Sequence, residues 1–84
     1  MEKENAKVKG YRLLADRLLQ DDKKVFIKDI NEDYYFADII LVGEYIITIE
    51  CFAPSERQGK KYNLYYDMIA RMEEYRDMEM GAIA

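Results

Sequence analysis

The chain of 84 residues has no histidine and no tryptophan, and it has a single cysteine, Cys51, and a single proline, Pro54. One cysteine excludes an internal disulfide framework. Without a histidine to activate it as a nucleophile, Cys51 is predicted to be a small buried residue in a strand. The longest apolar run, residues 39–42, is far too short to cross a bilayer. These absences, and the lack of a recognisable signal peptide, predict a cytoplasmic protein without a membrane span.

The residues that are abundant indicate a folded domain. Half of the chain is hydrophobic, which excludes a disordered protein, and a chain of this length forms one domain only. The apolar set includes eight tyrosines and five methionines. Tyrosine combines an apolar ring with a polar tip, which suits core edges and binding surfaces. We therefore predict a single domain over residues 1–84 that carries tyrosines at its surface.

The net charge of −4 is unevenly distributed along the chain. Residues 1–28 have eight basic and five acidic side chains, a net charge of +3. Residues 29–56 have seven acidic side chains and no basic one, whereas residues 57–84 have five of each. An acidic segment repels phosphate backbones and attracts basic proteins. The central segment therefore argues against direct nucleic-acid binding and favours a basic protein partner.

The hydrophobic pattern predicts a helix, three strands and a second helix. Apolar residues at helical spacing predict helices over 4–20 and 61–79. The intervening links are short and polar, so neighbouring strands must be antiparallel. The predicted fold is α+β, in the order α-β-β-β-α, with a three-stranded antiparallel meander packed against two helices. Runs rich in Ile, Val, Tyr and Phe give the three strands as 24–30, 34–42 and 45–53.

The register of the second hairpin decides which side chains share a face of the sheet. A two-residue turn pairs Val42 with Tyr45 and suits a type II′ turn that begins at Gly43, but it leaves both faces mixed. A three-residue loop pairs Val42 with Ile46 and leaves one face without charge. Burial favours this second register, since about 25 cal/mol is gained per Å² of apolar surface. Its apolar face holds Val25, Ile27, Tyr35, Ala37, Ile39, Leu41, Ile47, Ile49 and Cys51.

In the favoured register Asp38 and Glu50 lie opposite each other on the second face. Like charges in this position destabilise a sheet unless something compensates them. Mg²⁺ or Mn²⁺ would do so, because hard divalent ions prefer carboxylate oxygens. Lys24 or Lys28 from the neighbouring strand could neutralise the pair instead, and two solvated carboxylates on an open strand face remain a third interpretation.

The segment ADIILVGEYIITIECFAPSERQ, residues 37–58, resembles the core of the PD-(D/E)XK nuclease superfamily. That family has an α-β-β-β-α core, an Asp in the second strand and Glu-x-Lys in the third. Asp38 and Glu50 match the two acidic positions, and the Ser55 to Gln58 segment resembles the Ser-x-x-Gln entry into the next helix. The resemblance implies a nuclease that binds Mg²⁺ or Mn²⁺ through Asp38 and Glu50.

Two positions depart from the nuclease pattern. Phe52 stands where the family has its catalytic lysine, and Ala37 stands where it has proline. The lysine activates the attacking water, so its loss implies an inactive or altered site unless Lys28, Lys60 or Lys61 replaces it.

The sequence therefore predicts a small acidic binding protein without catalytic residues, metal or cofactor, which docks on a basic protein surface. Its size and acidity resemble those of small phage or mobile-element inhibitors such as anti-CRISPR proteins. One alternative is the nuclease, with Asp38 and Glu50 as metal ligands, Lys28 as the displaced lysine, and a homodimer that completes the site. Another is a structural subunit of a larger complex. The candidate binding residues are Asp38, Glu44, Glu50, Tyr62 and Tyr66.

Overall fold

The computed structural model describes residues 6–76. Over that range the chain forms a helix and an antiparallel sheet of five strands in the order β4-β3-β2-β1-β5. The α+β class and the β1-β2-β3 meander are thus confirmed. No helix within residues 6–76 has the length and apolarity needed to span a membrane. The elements are α1 (Ala6–Gln20), β1 (Lys24–Asp29), β2 (Tyr34–Val42), β3 (Ile46–Ala53), β4 (Lys61–Tyr65) and β5 (Ile69–Tyr75), with short 3₁₀ turns at Ser55–Arg57 and Tyr66–Met68.

The predicted second helix is wrong, because residues 61–75 form β4 and β5 instead. In β4, half-buried and exposed side chains alternate with the period of a strand. In β5 the pairing with β1 jumps from Lys28–Arg71 to Asp29–Ile69, which leaves Ala70 as an extra residue. Because of the extra residue, two successive side chains on the same face of the strand are three residues apart in the sequence instead of two. Ile69 and Met72 are therefore both buried at a spacing that imitates a helix. The last residues of the predicted helix, 77–79, lie outside the described range.

The sheet must curl strongly, because its two edge strands are joined by a very short link. β4 ends at Tyr65 opposite Ile46, and β5 begins at Ile69 opposite Asp29. Four residue steps span at most about 14 Å, whereas the edges of a flat five-stranded sheet lie about 19 Å apart. The link is held at both ends, since Tyr66 N donates to Tyr45 O at 3.0 Å and Ile30 N donates to Met68 O at 2.9 Å. The sheet therefore wraps around its own core.

One face of the sheet, here called the inner face, forms that core together with α1. The helix contributes Val8, Ala15 and Leu18 to it. The predicted apolar face corresponds to this inner face, with Leu41 as the exception. The buried sheet residues of the meander are Val25, Ile27, Tyr35, Ala37, Ile39, Ile47, Ile49 and Cys51, and β5 adds Ile69 and Met72.

The register of the second hairpin is the favoured one in its middle and differs at both ends. At the open end Phe36 pairs with Ala53, which leaves Phe52 as an extra residue. Asp38 lies opposite Glu50, as predicted, but Val42 pairs with Ile47 rather than Ile46. The pairing shifts between Ile39 and Leu41, so the residue between them is extra. This bulge reverses the faces beyond it. Val42 consequently packs against the core, and Leu41 is 60% exposed.

The first hairpin has a longer connection than predicted. Lys28 pairs with Tyr34, so residues 29–33 separate the last paired residues of β1 and β2, instead of the predicted 31–33. Asp29 still belongs to β1, because it pairs with Ile69 of β5. The register differs from the predicted one by two residues, which leaves every side chain on its predicted face. Val25 and Ile27 are accordingly fully buried.

Candidate functional site

The second face of the sheet, here called the outer face, points away from the core and α1. Three zones follow one another along it: a cluster of aromatic rings, a row of charged side chains, and a patch of exposed apolar side chains at the tip of the β2–β3 hairpin. The strand register places these residues on it: Lys24, Phe26 and Lys28 of β1; Tyr34, Phe36 and Asp38 of β2; Thr48 and Glu50 of β3; Lys61, Asn63 and Tyr65 of β4; Arg71, Glu73 and Tyr75 of β5.

The charged row explains how two facing carboxylates are accommodated. Lys24, Asp38, Glu50 and Lys61 lie side by side on four adjacent strands. Lys24 Nζ donates to Asp38 Oδ1 at 2.8 Å, and Lys61 is the cross-strand neighbour of Glu50. Each carboxylate thus has a lysine on its other neighbouring strand: Lys24 of β1 lies beside Asp38, and Lys61 of β4 lies beside Glu50. The sequence left open whether a metal cation or a lysine compensates the two facing carboxylates. For Asp38 the compensating group is Lys24.

The same row is the place to examine for a metal. Asp38 and Glu50 supply two facing carboxylates, the pair on which the nuclease resemblance rests. Within residues 6–76 no group of three His, Cys, Asp or Glu side chains converges in a way that could hold a metal ion. A cation between these two carboxylates would therefore depend on water or a bound substrate for its remaining ligands.

The lysine proposed for the nuclease alternative, Lys28, lies away from the two carboxylates. It pairs with Tyr34, four residues before Asp38, and its ammonium lies 5.8 Å from the centre of the Tyr34 ring. The lysines of the charged row are Lys24 and Lys61 instead. In addition, the helix that should follow the third strand is replaced by a 3₁₀ turn and β4, so the chain does not adopt the fold that the resemblance implies.

The aromatic cluster joins rings from four strands. Phe26 lies 5.1 Å from Phe36 and 5.9 Å from Tyr34, measured between ring centres. Tyr75 makes edge contacts with Phe36 at 5.6 Å and Phe52 at 5.4 Å. These rings are half-buried or exposed, so several ring faces are accessible from solvent.

The hairpin patch consists of large apolar side chains that solvent reaches. Tyr45 and Leu41 are each 60% exposed, and Tyr65, beside Ile46, is 56% exposed. Leu13 of α1 is exposed as well and lines a cavity of about 330 Å³ with the exposed Glu44 of the hairpin turn. Exposed apolar side chains grouped in this way are typical of interaction surfaces.

The two tyrosines predicted as interface anchors are placed differently from expectation. Tyr62 is half-buried on the inner side of β4, and its ring contacts Tyr35 at 5.2 Å. Tyr66 is 0% exposed and donates its hydroxyl to Gly43 O at 2.9 Å. The tight hairpin turn itself requires glycine at position 43, because a Cβ there would lie 2.9 Å from Ile46 O. Tyr66 is therefore a core residue and not an anchor, which corrects that prediction.

The outer face mixes both charge signs, although the central segment that supplies β2 and β3 is acidic. Asp38, Glu50 and Glu73 share the face with Lys24, Lys28, Lys61 and Arg71, which come from the other strands. Arg71 pairs with Glu73 at 2.7 Å. Of the acidic residues from 29–56, Asp38 is exposed on the outer face, and four more are exposed in the turns: Glu32, Asp33, Glu44 and Glu56.

Asp29 is a structural residue that the sequence reading missed. Its side chain is 8% exposed. Oδ1 accepts from Asn31 N at 2.9 Å and from Asp33 N at 3.0 Å, and Oδ2 accepts from Tyr35 Oη at 3.1 Å. The carboxylate thus closes the β1–β2 connection. The signal was an Asp at the start of a polar turn, where its side chain binds the backbone two residues on.

Ionisation of Tyr35 makes the stability of the folded state depend on pH. Burial, followed by the hydrogen bond to Asp29, raises its pKa to about 12. The unfolded chain releases this proton near pH 10, so the folded state loses relative stability as the pH rises from 10 to 12, by up to about 2–3 kcal/mol. We expect urea unfolding to show a steeper decline over this interval for the wild type than for Tyr35→Phe. Identical slopes would contradict the assignment.

Arg57 links the β3–β4 connection to the same region. Its guanidinium lies 4.5 Å from the centre of the Tyr35 ring and 5.4 Å from that of Tyr62. It pairs with Asp33 at 3.4 Å, and these contacts hold the connection beside β1 and β2. They also place Arg57 near Cys51, whose pKa is raised by burial. Cys51 is free and buried, as the sequence predicted.

No known family model matches the chain, and no curated protein matches it at a significant level.

Proposed function

We propose that this chain is a non-catalytic binding protein that docks on a basic surface of another protein. The observation that carries the proposal is the exposed apolar patch at the tip of the β2–β3 hairpin, which lies next to the carboxylates of Asp38, Glu44 and Glu50. Such a combination offers burial of apolar area together with charge complementarity at the rim.

The proposal places Asp38, Glu44 and Glu50 in the contact. Asp38 and Glu50 lie between the aromatic cluster and the hairpin patch, and Glu44 is exposed at the hairpin turn. Tyr45 and Tyr65 supply aromatic area beside them, a role in which tyrosine is enriched at interfaces. They take the place that the sequence analysis gave to Tyr62 and Tyr66.

The class of inhibitors encoded by phages and mobile elements fits this proposal. Small acidic proteins that resemble anti-CRISPR proteins occupy the basic groove of nucleic-acid-binding machinery. A target of this kind would explain a chain of pI 4.8 whose outer face nevertheless carries apolar side chains. A competition experiment, in which added DNA displaces the chain from its partner, addresses this part of the proposal.

Charge reversal at the contact tests the proposal. The variant Asp38→Lys/Glu44→Lys/Glu50→Lys should lose at least about tenfold in partner binding, since rim and core charges of an interface are both reversed. The matched control Asp21→Lys/Glu56→Lys/Asp67→Lys has the same net charge, but its changes lie at other exposed positions. Co-purification with the tagged chain, quantified by mass spectrometry, is the measurement, and circular dichroism checks the fold. Equal recovery with both variants would refute docking through these carboxylates.

The nuclease remains a second candidate because Asp38 faces Glu50 on adjacent strands. Incubation with plasmid and branched DNA in the presence of Mn²⁺ tests it. Cleavage that disappears in Asp38→Ala would support this candidate. An intact substrate, or cleavage that survives the substitution, would remove it.

A further inference from the structure

A shallow cavity of about 410 Å³ lies within the aromatic cluster. Phe26, Phe36 and Tyr75 supply three of its walls. The Phe26 and Phe36 planes are inclined by 40° and the Phe36 and Tyr75 planes by 71°, so the rings enclose the space at angles instead of stacking on one another. Inclined rings with accessible faces form the box in which organic cations bind.

Two rings of the aromatic cluster, Phe26 of the cavity wall and Phe52 outside it, already attract cations. The Lys24 ammonium lies 5.2 Å from the centre of Phe52, and the Arg71 guanidinium lies 5.8 Å from the centre of Phe26. Both distances fall within the range in which the ring quadrupole attracts a positive charge. The cluster thus binds the chain's own cations on its flanks.

Two carboxylates and the cation Arg76 complete the cavity wall. Glu73 lies opposite Phe26 in the register, and Glu74 follows it. Glu73 pairs with Arg71 at 2.7 Å, and Glu74 pairs with Arg76 at 3.5 Å and Lys23 at 3.9 Å. Ion pairs between such exposed groups contribute about 0–1 kcal/mol. An incoming cation can therefore share or replace these partners at small cost.

We propose that this cavity binds an organic cation, an alkylammonium or guanidinium group, supplied by a basic side chain of the docking partner. The inference rests on the proposed function and deepens it, because it names the anchor that a basic surface would insert. Phe26, Phe36 and Tyr75 contact the cation through their ring faces, and Glu73 and Glu74 balance its charge.

Small-molecule titration tests this site without any partner protein. Choline and its neutral isostere 3,3-dimethylbutan-1-ol have the same shape, so their difference isolates the charge. We expect choline to shift the NMR resonances of the Phe26, Phe36 and Tyr75 rings. We also expect choline to bind about tenfold more tightly than the isostere, because the isostere lacks the cation–π attraction. Guanidinium compared with urea provides the second pair of probes.

Substitutions locate the effect. Phe36→Leu and Tyr75→Leu retain apolar volume and remove one ring quadrupole each, so each should weaken choline binding about fivefold and leave the isostere unchanged. Tyr34→Leu is the matched control, because Tyr34 belongs to the cluster but does not line the cavity. Equal affinities for choline and the isostere, undisturbed ring resonances, or equal effects of all three substitutions would each overturn the proposal. These outcomes are independent of the charge-reversal experiment, which reports on the partner contact alone.

Discussion

Replacement of Tyr66 by alanine is expected to lower the free energy of unfolding by about 3–5 kcal/mol, the loss typical of a deleted buried aromatic ring. Tyr66 is the largest of the fully buried side chains and is hydrogen-bonded to Gly43 O at 2.9 Å. It also occupies the turn that joins the two edge strands. Removal of the ring leaves a cavity at the link that joins the two edge strands. Urea unfolding followed by circular dichroism measures the loss.

The adjacent residue provides the control for this prediction. Tyr65 is 56% exposed on the outer face, so Tyr65→Ala should cost less than about 1 kcal/mol. Tyr66→Phe, which retains the ring and deletes the hydroxyl, should cost about 1 kcal/mol. Similar losses for the two alanine variants would show that Tyr66 does not occupy the core.

Replacement of Asp29 by alanine should cost about 3 kcal/mol or more. The substitution removes acceptors from two backbone N–H groups and from the Tyr35 hydroxyl, which sits in a buried position. Hydrogen bonds to a charged group are worth about 1.5–3 kcal/mol each, and a buried donor that loses its partner adds a desolvation cost. The measurement is again the free energy of unfolding in urea near pH 7.

Two further variants separate the carboxylate's hydrogen bonds from its charge. Asp29→Asn retains an acceptor for the backbone donors, so it should lose less than half as much as Asp29→Ala. Asp33→Ala removes a half-exposed carboxylate with a single ion pair to Arg57, and its cost should stay near 0–1 kcal/mol. A full loss in Asp29→Asn together with a small one in Asp29→Ala would contradict the hydrogen-bond account.

The meander was predictable because its physics is local. The first three strands are runs rich in Ile, Val, Tyr and Phe, and short polar links allow only antiparallel pairing. Burial then selected the register that places Asp38 opposite Glu50, and the structure has that pair. Even the error in the length of the first connection was harmless, since a shift of two residues preserves the faces.

The C-terminal part was not predictable from spacing because a tertiary feature created the spacing. The bulge at Ala70 arises only when β5 pairs with β1, and the sequence gives no local signal for it. Residues such as Met72 and Glu73 also favour helices intrinsically. The meander nevertheless has unpaired edges at β1 and β3, and the pairing of β5 and β4 with these edges overrides the helix propensity.

The candidate site was predictable in its members and less so in its surroundings. Asp38 and Glu50 were identified from the register that burial favoured and from the resemblance to the nuclease core. Their flanking lysines depended on β1 and β4, and β4 was predicted as a helix, so Lys61 could not be placed beside Glu50. The aromatic cavity depended on Tyr75 for the same reason, since this ring reaches Phe36 only from β5.

The order of the strands also has a consequence for synthesis on the ribosome. β1 is among the first elements to emerge, but its second partner, β5, is the last strand described. Until β5 has left the exit tunnel, β1 remains an open edge and the inner face lacks Ile69 and Met72. Pairings so distant in sequence slow folding and leave strand edges exposed for longer. A nascent chain of this protein therefore completes its core only after β5 has emerged, and a stalled or truncated chain would expose the edge that β5 normally covers.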